Sequence, residues 1–311
     1  MALTALGSVA VPPFRASAFD HGDVHLATGR IFVAHTAGDS VEVIDGEHPA
    51  HVQTIRGCPQ ASGVLCAQQE GVVFAAARGA GRVLLIDPTS LAVLGEVASG
   101  TRPNGLAWDD RRRQLLATDV QDFSARLLNT STGETVGQLE LPGRPRWCVY
   151  DRDGDRFLVN IREPACVALL TVKPFALAGR WPVSSAGPHG LDLDVEGRSA
   201  LVACDGGRVA ALDLGSGKET AEVSIGGTPD AIWYNAERRL LYVAIGEPRV
   251  VEVIDTRPCC DASRLRLRPA PTRPRLTALG SSWPSSCPTA AGSPSTARPR
   301  RSNLPKVRRW C

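Results

Sequence analysis

Two histidines, a carboxylate, two amides and a guanidinium recur along this chain at intervals near 42 residues, as His21, Gln60, Asn104, Arg146, His189 and Asp230. The last five each follow a proline, and Pro59, Pro103, Pro145, Pro188 and Pro229 are spaced by 44, 42, 43 and 41 residues. Brought to one place, Asn104, His189 and Asp230 are candidates to hold a divalent metal. Arg146 instead suits an anionic ligand group. A repeat kept only for packing would repeat one residue, so six unlike polar side chains at equivalent places point to a shared ligand site. The plainer account is that exposed turn positions are polar anyway and cap local backbone.

The elements that must position these side chains are read from a second periodicity. Asp45, Asp87, Asn129, Thr171, Asp213 and Asp255 stand an unvarying 42 residues apart, most of them after an aliphatic pair such as Val43-Ile44 or Leu85-Ile86. In the copy beginning at Thr101, residues 106–108, 115–118, 126–129 and 135–139 read as four short strands. Asp109–Arg113 and Ser131-Thr132-Gly133 supply turns between them. A lone four-stranded sheet has two exposed edges and two apolar faces, whereas sheets set radially around a channel cover one another. The expected fold is therefore all-β, a propeller of four-stranded blades over residues 1–256, with the strand openings facing the channel mouth. Six marks, together with a strand-like Val9–Val11 that would clasp the last blade, predict about six blades present of a nominal seven.

The strand openings Phe19-Asp20-His21, Pro59-Gln60, Pro103-Asn104-Gly105, Pro188-His189-Gly190 and Pro229-Asp230 resemble those of the YVTN or YncE-like seven-bladed propeller family. So do the repeated Val-Ile-Asp and the second-strand segments at 30–34 and 240–244. That resemblance covers roughly residues 9–256 and implies a binding scaffold, its ligand a small molecule or a protein at the channel mouth. Pro103-Asn104-Gly105 is also similar to the metal-binding opening of the calcium-dependent gluconolactonase propellers, with Asp20 and Asp230 as the available acidic ligands. The alternative function is accordingly a divalent-metal-dependent, lactonase-like hydrolase using the same mouth. No Gly-x-Ser-x-Gly elbow or metalloprotease histidine pair is present, so the reading leans away from an enzyme.

Other motifs dissolve under the repeat. Gly215-Ser216-Gly217-Lys218 occupies the hairpin of Ser131-Thr132-Gly133 and lacks phosphate-loop spacing. Asp151, Asp153 and Asp155 lack a calcium loop's glycine and terminal glutamate. His21 and His25 lie roughly 13 Å apart along a strand, too far to share an ion.

Charge divides the chain in two. Its formal +3 hides a tail, residues 257–311, with 12 of the 35 Lys and Arg and only Asp261 of the 32 acids, so residues 1–256 carry 23 against 31, or −8. Nucleic acid is thus not an expected partner of the body. Of nine cysteines, Cys58, Cys66, Cys148, Cys166 and Cys204 lie in the body without a Cys-x-x-Cys pair and read as reduced, buried thiols. Val9–Val11 runs into Pro12-Pro13 without a secretory pattern, and no segment has transmembrane length, so a cytoplasmic location is expected.

From residue 257 the repeat stops, and nine prolines and eleven arginines dominate without strand alternation. The tail is expected to be disordered and to have the composition of a GC-rich gene read out of frame. Blade edges left uncovered by a missing seventh blade would favour self-association.

Overall fold

The computed structural model describes residues 3, 6–12, 18–257 and 268–269. Strands come in antiparallel groups of four, each a meander in chain order. The first sheet holds β1 (Gly22–His25), β2 (Arg30–His35), β3 (Ser40–Asp45) and β4 (Ala50–Arg56). The second holds β5 (Ala61–Ala67), β6 (Val72–Ala77), β7 (Arg82–Ile86) and β8 (Val93–Ala98). The third holds β9 (Pro103–Asp109), β10 (Gln114–Asp119), β11 (Ser124–Asn129) and β12 (Thr135–Glu140). The fourth is made of β13 (Pro145–Asp151), β14 (Arg156–Ile161), β15 (Cys166–Thr171) and β16 (Ala176–Pro182), and the fifth of β17 (Pro188–Asp194), β18 (Ser199–Cys204), β19 (Arg208–Asp213) and β20 (Glu219–Ser224). In the sixth, β21 (Pro229–Asn235), β22 (Leu240–Ile245) and β23 (Val250–Asp255) are completed by the short β24 (Arg268–Pro269). These are six four-stranded blades of a β-propeller, and consecutive blades meet chiefly through their first strands.

Val9–Val11 forms no strand, contrary to the expected clasp; the edge of the sixth sheet is paired by β24, with Ile254 opposite Pro269. Two prolines follow Val11 directly and remove backbone donors where a clasp would need them. The expected disorder of the tail concerns residues 258–267 and 270–311, outside the described residues.

The 42-residue mark is a hairpin cap. Asp45 Oδ1 accepts from the backbone N–H groups of Glu47 (2.8 Å) and His48 (2.9 Å), and Asp87 Oδ1 from those of Thr89 (2.9 Å) and Ser90 (2.6 Å). Asn129 and Asp213 repeat the arrangement at the third and fifth blades. A short side-chain acceptor therefore holds the turn from third to fourth strand, which is why Asp or Asn ends that strand. The Gly215-Ser216-Gly217 segment is one of these turns. Asp151 likewise binds its own hairpin, at Gly154 N (3.1 Å) and Arg156 Nε (2.9 Å).

Alternation puts one set of side chains on the face toward the preceding blade and the other toward the following blade. Five apolar cores result. Val41 and Val43 pack on Leu84 and Ile86; Phe74 and Val83 on Leu115 and Leu128; Leu116 and Leu127 on Phe157 and Leu170; Leu158 and Val167 on Ala200 and Leu212; Leu201 and Val209 on Leu241 and Ile254. Among the described residues, no such core joins the sixth blade to the first. The preceding-facing Ile31, Val33 and Ile44 of the first blade are only half-buried, as are the outward Tyr242, Ala244 and Val251 of the sixth. At the same registers of the fifth blade, Leu201, Ala203 and Val209 are completely buried.

All five body cysteines are buried. Burial pushes the Cys58 and Cys204 thiols up to about 12 and raises those of Cys148 and Cys166 as well. Thiolate is thus scarce at neutral pH. Iodoacetamide at about pH 8 should leave these five unlabelled in native protein and label them all in guanidinium, read by peptide mass spectrometry; rapid native labelling of any of them would contradict this packing.

Candidate functional site

Strand pairing, rather than proline position, decides which residues share the channel mouth. Pro103 lies opposite Asp119, Pro145 opposite Ile161, Pro188 opposite Cys204 and Pro229 opposite Ile245, and the matching pair in the second blade is Ala61 with Ala77. The residue after each is Ser62, Asn104, Arg146, His189 and Asp230, and counting back by the repeat gives Asp20 in the first blade. Gln60 and His21 lie off this register by two residues and one. Pro59 belongs to the loop ahead of β5 rather than to its first residue. Gln60 is exposed, at φ 49°, and its Oε1 accepts from Arg102 at 2.9 Å, so it stands apart from the other candidates.

The next residue inward is His21, Gly63, Gly105, Trp147, Gly190 and Ala231 in turn. Small residues prevail there because the first strands converge: a Cβ on Gly63 would lie 2.2 Å from the Asn104 carbonyl oxygen, and one on Gly105 2.5 Å from that of Arg146. His21 and Trp147 are the exceptions, and their rings stack face to face across the channel, with centroids 3.9 Å apart and planes 3° from parallel. This pair forms a floor beneath the polar ring.

Above that floor are two charged groups. On one side, Arg78 Nη2 donates to Asp20 Oδ2 (2.5 Å) and to Asn104 Oδ1 (2.7 Å), while His21 Nδ1 lies 2.5 Å from Asp20 Oδ1. Burial alone would raise the Asp20 carboxyl, but the His21 hydrogen bond and the charges of His21 and Arg78 together hold it well below the usual carboxylate range. On the other side, His189 is hydrogen-bonded through Nδ1 to Asp205 Oδ1 (2.9 Å), and its Nε2 meets Arg146 and lies 3.3 Å from Asp230 Oδ1. Arg162 pairs with Asp205 at 2.8 Å. The His189 hydrogen bond lowers the Asp230 carboxyl against the cost of burial, and burial lowers the Arg146 guanidinium despite nearby Asp230. Buried polar atoms without a hydrogen-bond partner among the described residues include Arg146 Nε, Arg78 Nε and His21 Nε2.

Of the predicted residues, His21 and Asn104 enter the first group, and Arg146, His189 and Asp230 the second. Asn104 is engaged by Arg78 and so is not joined to His189 and Asp230 in one ligand set. Among the described residues no three His, Cys, Asp or Glu side chains are grouped to hold a metal. Missed by the proline register were Asp20 as a ring member, Ser62, and the residues at the exit of each second strand, Arg78, Arg162 and Asp205. The second-strand exits recur with the same repeat, so that periodicity was the available signal. Trp147 was visible, with His21, as one of two large residues in a column otherwise of glycines and alanine.

A radial array of four-stranded sheets with a polar, ion-paired mouth places the chain in the β-propeller class. No family model matches the chain, and no curated protein matches it in sequence. Among solved structures it is similar to the hydrazine synthase of Kuenenia stuttgartiensis, with a TM-score of 0.68 and 18% identity over 76% of this chain and 82% of that one. It is also similar to the WD40 repeats of RRP9, with a TM-score of 0.70 and 12% identity over 83% of this chain and 81% of that one. At such identities the likeness is one of fold. No helix among the described residues is long and apolar enough to cross a membrane.

Proposed function

We propose that the chain is a propeller binding module of YVTN or YncE-like descent whose ligand, a small molecule or a protein segment bearing an anionic group, docks at the channel mouth. Arg146, His189 and Asp230 form one wall of the site, and Asn104, with Asp20 and Arg78, the other. The carrying observation is that unlike side chains at one register converge on two charged groups above the His21–Trp147 floor, with the buried Arg146 Nε left without a hydrogen-bond partner among the described residues. A carboxylate or phosphate would supply acceptors to such a guanidinium. A lactonase ion would need Asn104 and Asp230 together, and their engagement by Arg78 and His189 respectively favours binding over metal-dependent hydrolysis.

A thermal-shift panel of small carboxylates, phosphates, calcium and zinc tests this reading. An anionic compound at 100 times its Kd should stabilise the protein by about 2.7 kcal/mol. Arg146→Ala with His189→Ala should remove that shift while leaving the β-sheet circular dichroism unchanged. Undiminished binding by the double variant would show the ring to be ordinary polar surface; calcium or zinc binding with lactone turnover would favour the enzyme instead.

A further inference from the structure

Among the described residues five interblade cores serve six blades, and the joint without one lies between the sixth and the first. Its two walls are sheets of the same kind as those that pair elsewhere. Ile31, Val33 and Ile44 occupy one wall, Tyr242, Ala244 and Val251 the other, all half-buried at registers that neighbouring blades bury. Sheet walls that each present half-buried apolar side chains toward one joint are matched by a third sheet. We propose that this joint is the seat of a seventh four-stranded blade, and that the blade is encoded in the neighbouring reading frame of the codons that follow Arg257.

The chain itself carries the argument for that occupant. Residues 258–311 number 54, more than one 42-residue repeat, yet their sequence has no strand alternation. Consider the frame that begins on the third base of each codon. The centre of every new codon is then the first base of the following residue. Tryptophan, cysteine and the four-fold serine codons all begin with T, and a central T specifies Phe, Leu, Ile, Met or Val whatever its neighbours. In that frame Ser281-Ser282-Trp283 and Ser285-Ser286-Cys287 become apolar at all six places. Pro284 becomes alanine, because the G that ends the tryptophan codon precedes CC. The result is an unbroken apolar run over 281–287.

Its position agrees with the fold. β22 spans Leu240–Ile245, and one repeat of 42 residues later falls on 282–287. The second strand is an inner strand of its sheet, and in the second and fifth blades it is buried almost throughout, at Val72–Ala77 and Ser199–Cys204. A hidden apolar run at the register where a seventh second strand belongs is not expected from a Pro-, Arg- and Ser-rich composition alone.

The coding DNA gives the first test. The shifted frame must use four-fold serine codons over 281–286, and it stays open at Cys260-Asp261 only if the Cys260 codon ends in C. A stop there, or AG-type serine codons that break the apolar run, would overturn the proposal. The second test inserts one base after codon 257 and compares that product with the original chain by light scattering and thermal unfolding. The restored product should be monomeric, with a midpoint higher by about 5–10 °C and with amide exchange in β2 and β23 slowed at least tenfold. Equal midpoints and equal exchange would sink the idea. So would a discrete dimer of the original chain that already protects β2 and β23, since the joint would then belong to a second copy.

Discussion

Leu115→Ala should destabilise the protein by about 2–5 kcal/mol, whereas Ile31→Ala, at the same register of the first blade, should cost less than about half as much. Both side chains are aliphatic, of equal size, and point from a second strand toward the preceding blade. Leu115 is completely buried in the core between the second and third blades, packed with Phe74 and Val83. Ile31 is half-buried and belongs to none of the five cores. Truncating Leu115 removes contacts and leaves a cavity that rigid sheets on both sides cannot close. Truncating Ile31 removes surface that water already reaches. Urea midpoints at constant m-value measure the difference. Equal losses at the two sites would mean that the joint between the sixth and first blades is as well packed as the others.

Glu42→Ala should cost about 3–5 kcal/mol, the range for removing one partner from a buried ionic network. Glu42 is completely buried on the same preceding-facing side, where the second, fourth and fifth blades place Leu84, Ala168 and Ala210. It accepts hydrogen bonds from Ser40 (2.8 Å) and Thr54 (2.6 Å) and lies 3.1 Å from His35 Nδ1 and 2.9 Å from His51 Nε2. Burial opposes its charge, but these hydrogen bonds together hold the carboxyl below its ordinary value. The sign then follows from linkage. A carboxyl whose folded value is depressed stabilises the native state above the ordinary glutamate value, and that contribution is lost as pH falls toward the folded value. Wild-type urea midpoints should therefore decline on acidification below about pH 4.5, and Glu42→Gln should flatten part of that decline. A variant with the wild-type pH profile would show that the cluster contributes nothing through its charge.

The Asp and Asn marks made the blade count readable in the sequence, because a hairpin cap puts a short acceptor at one fixed place in most copies. The four-strand reading of residues 101–139 agrees with β9–β12 to within about three residues at each end, for the same reason: turns are local chemistry. The clasp at Val9–Val11 was not legible, since a strand-like triplet says nothing about whether a partner edge is free to receive it. The strand register of the candidate residues was legible in part. Asn104, Arg146, His189 and Asp230 fell on the true register because their prolines open the strands. Gln60 and His21 did not, because Pro59 lies in a loop and the first blade has no proline to count from.

What the sequence by itself determined is the repeat, the strand order within each sheet and the hydrophobic alternation that aims each face, all of which depend on residues close together in the chain. Only the tertiary structure decided which side chains meet across the axis: His21 on Trp147, Arg78 between Asp20 and Asn104, His189 among Asp205, Asp230 and Arg146. These contacts join residues from different blades, so they follow from how closely the first strands converge. It also decided that, among the described residues, one of the six joints lacks a core, since coverage of a face depends on the neighbour that packs on it.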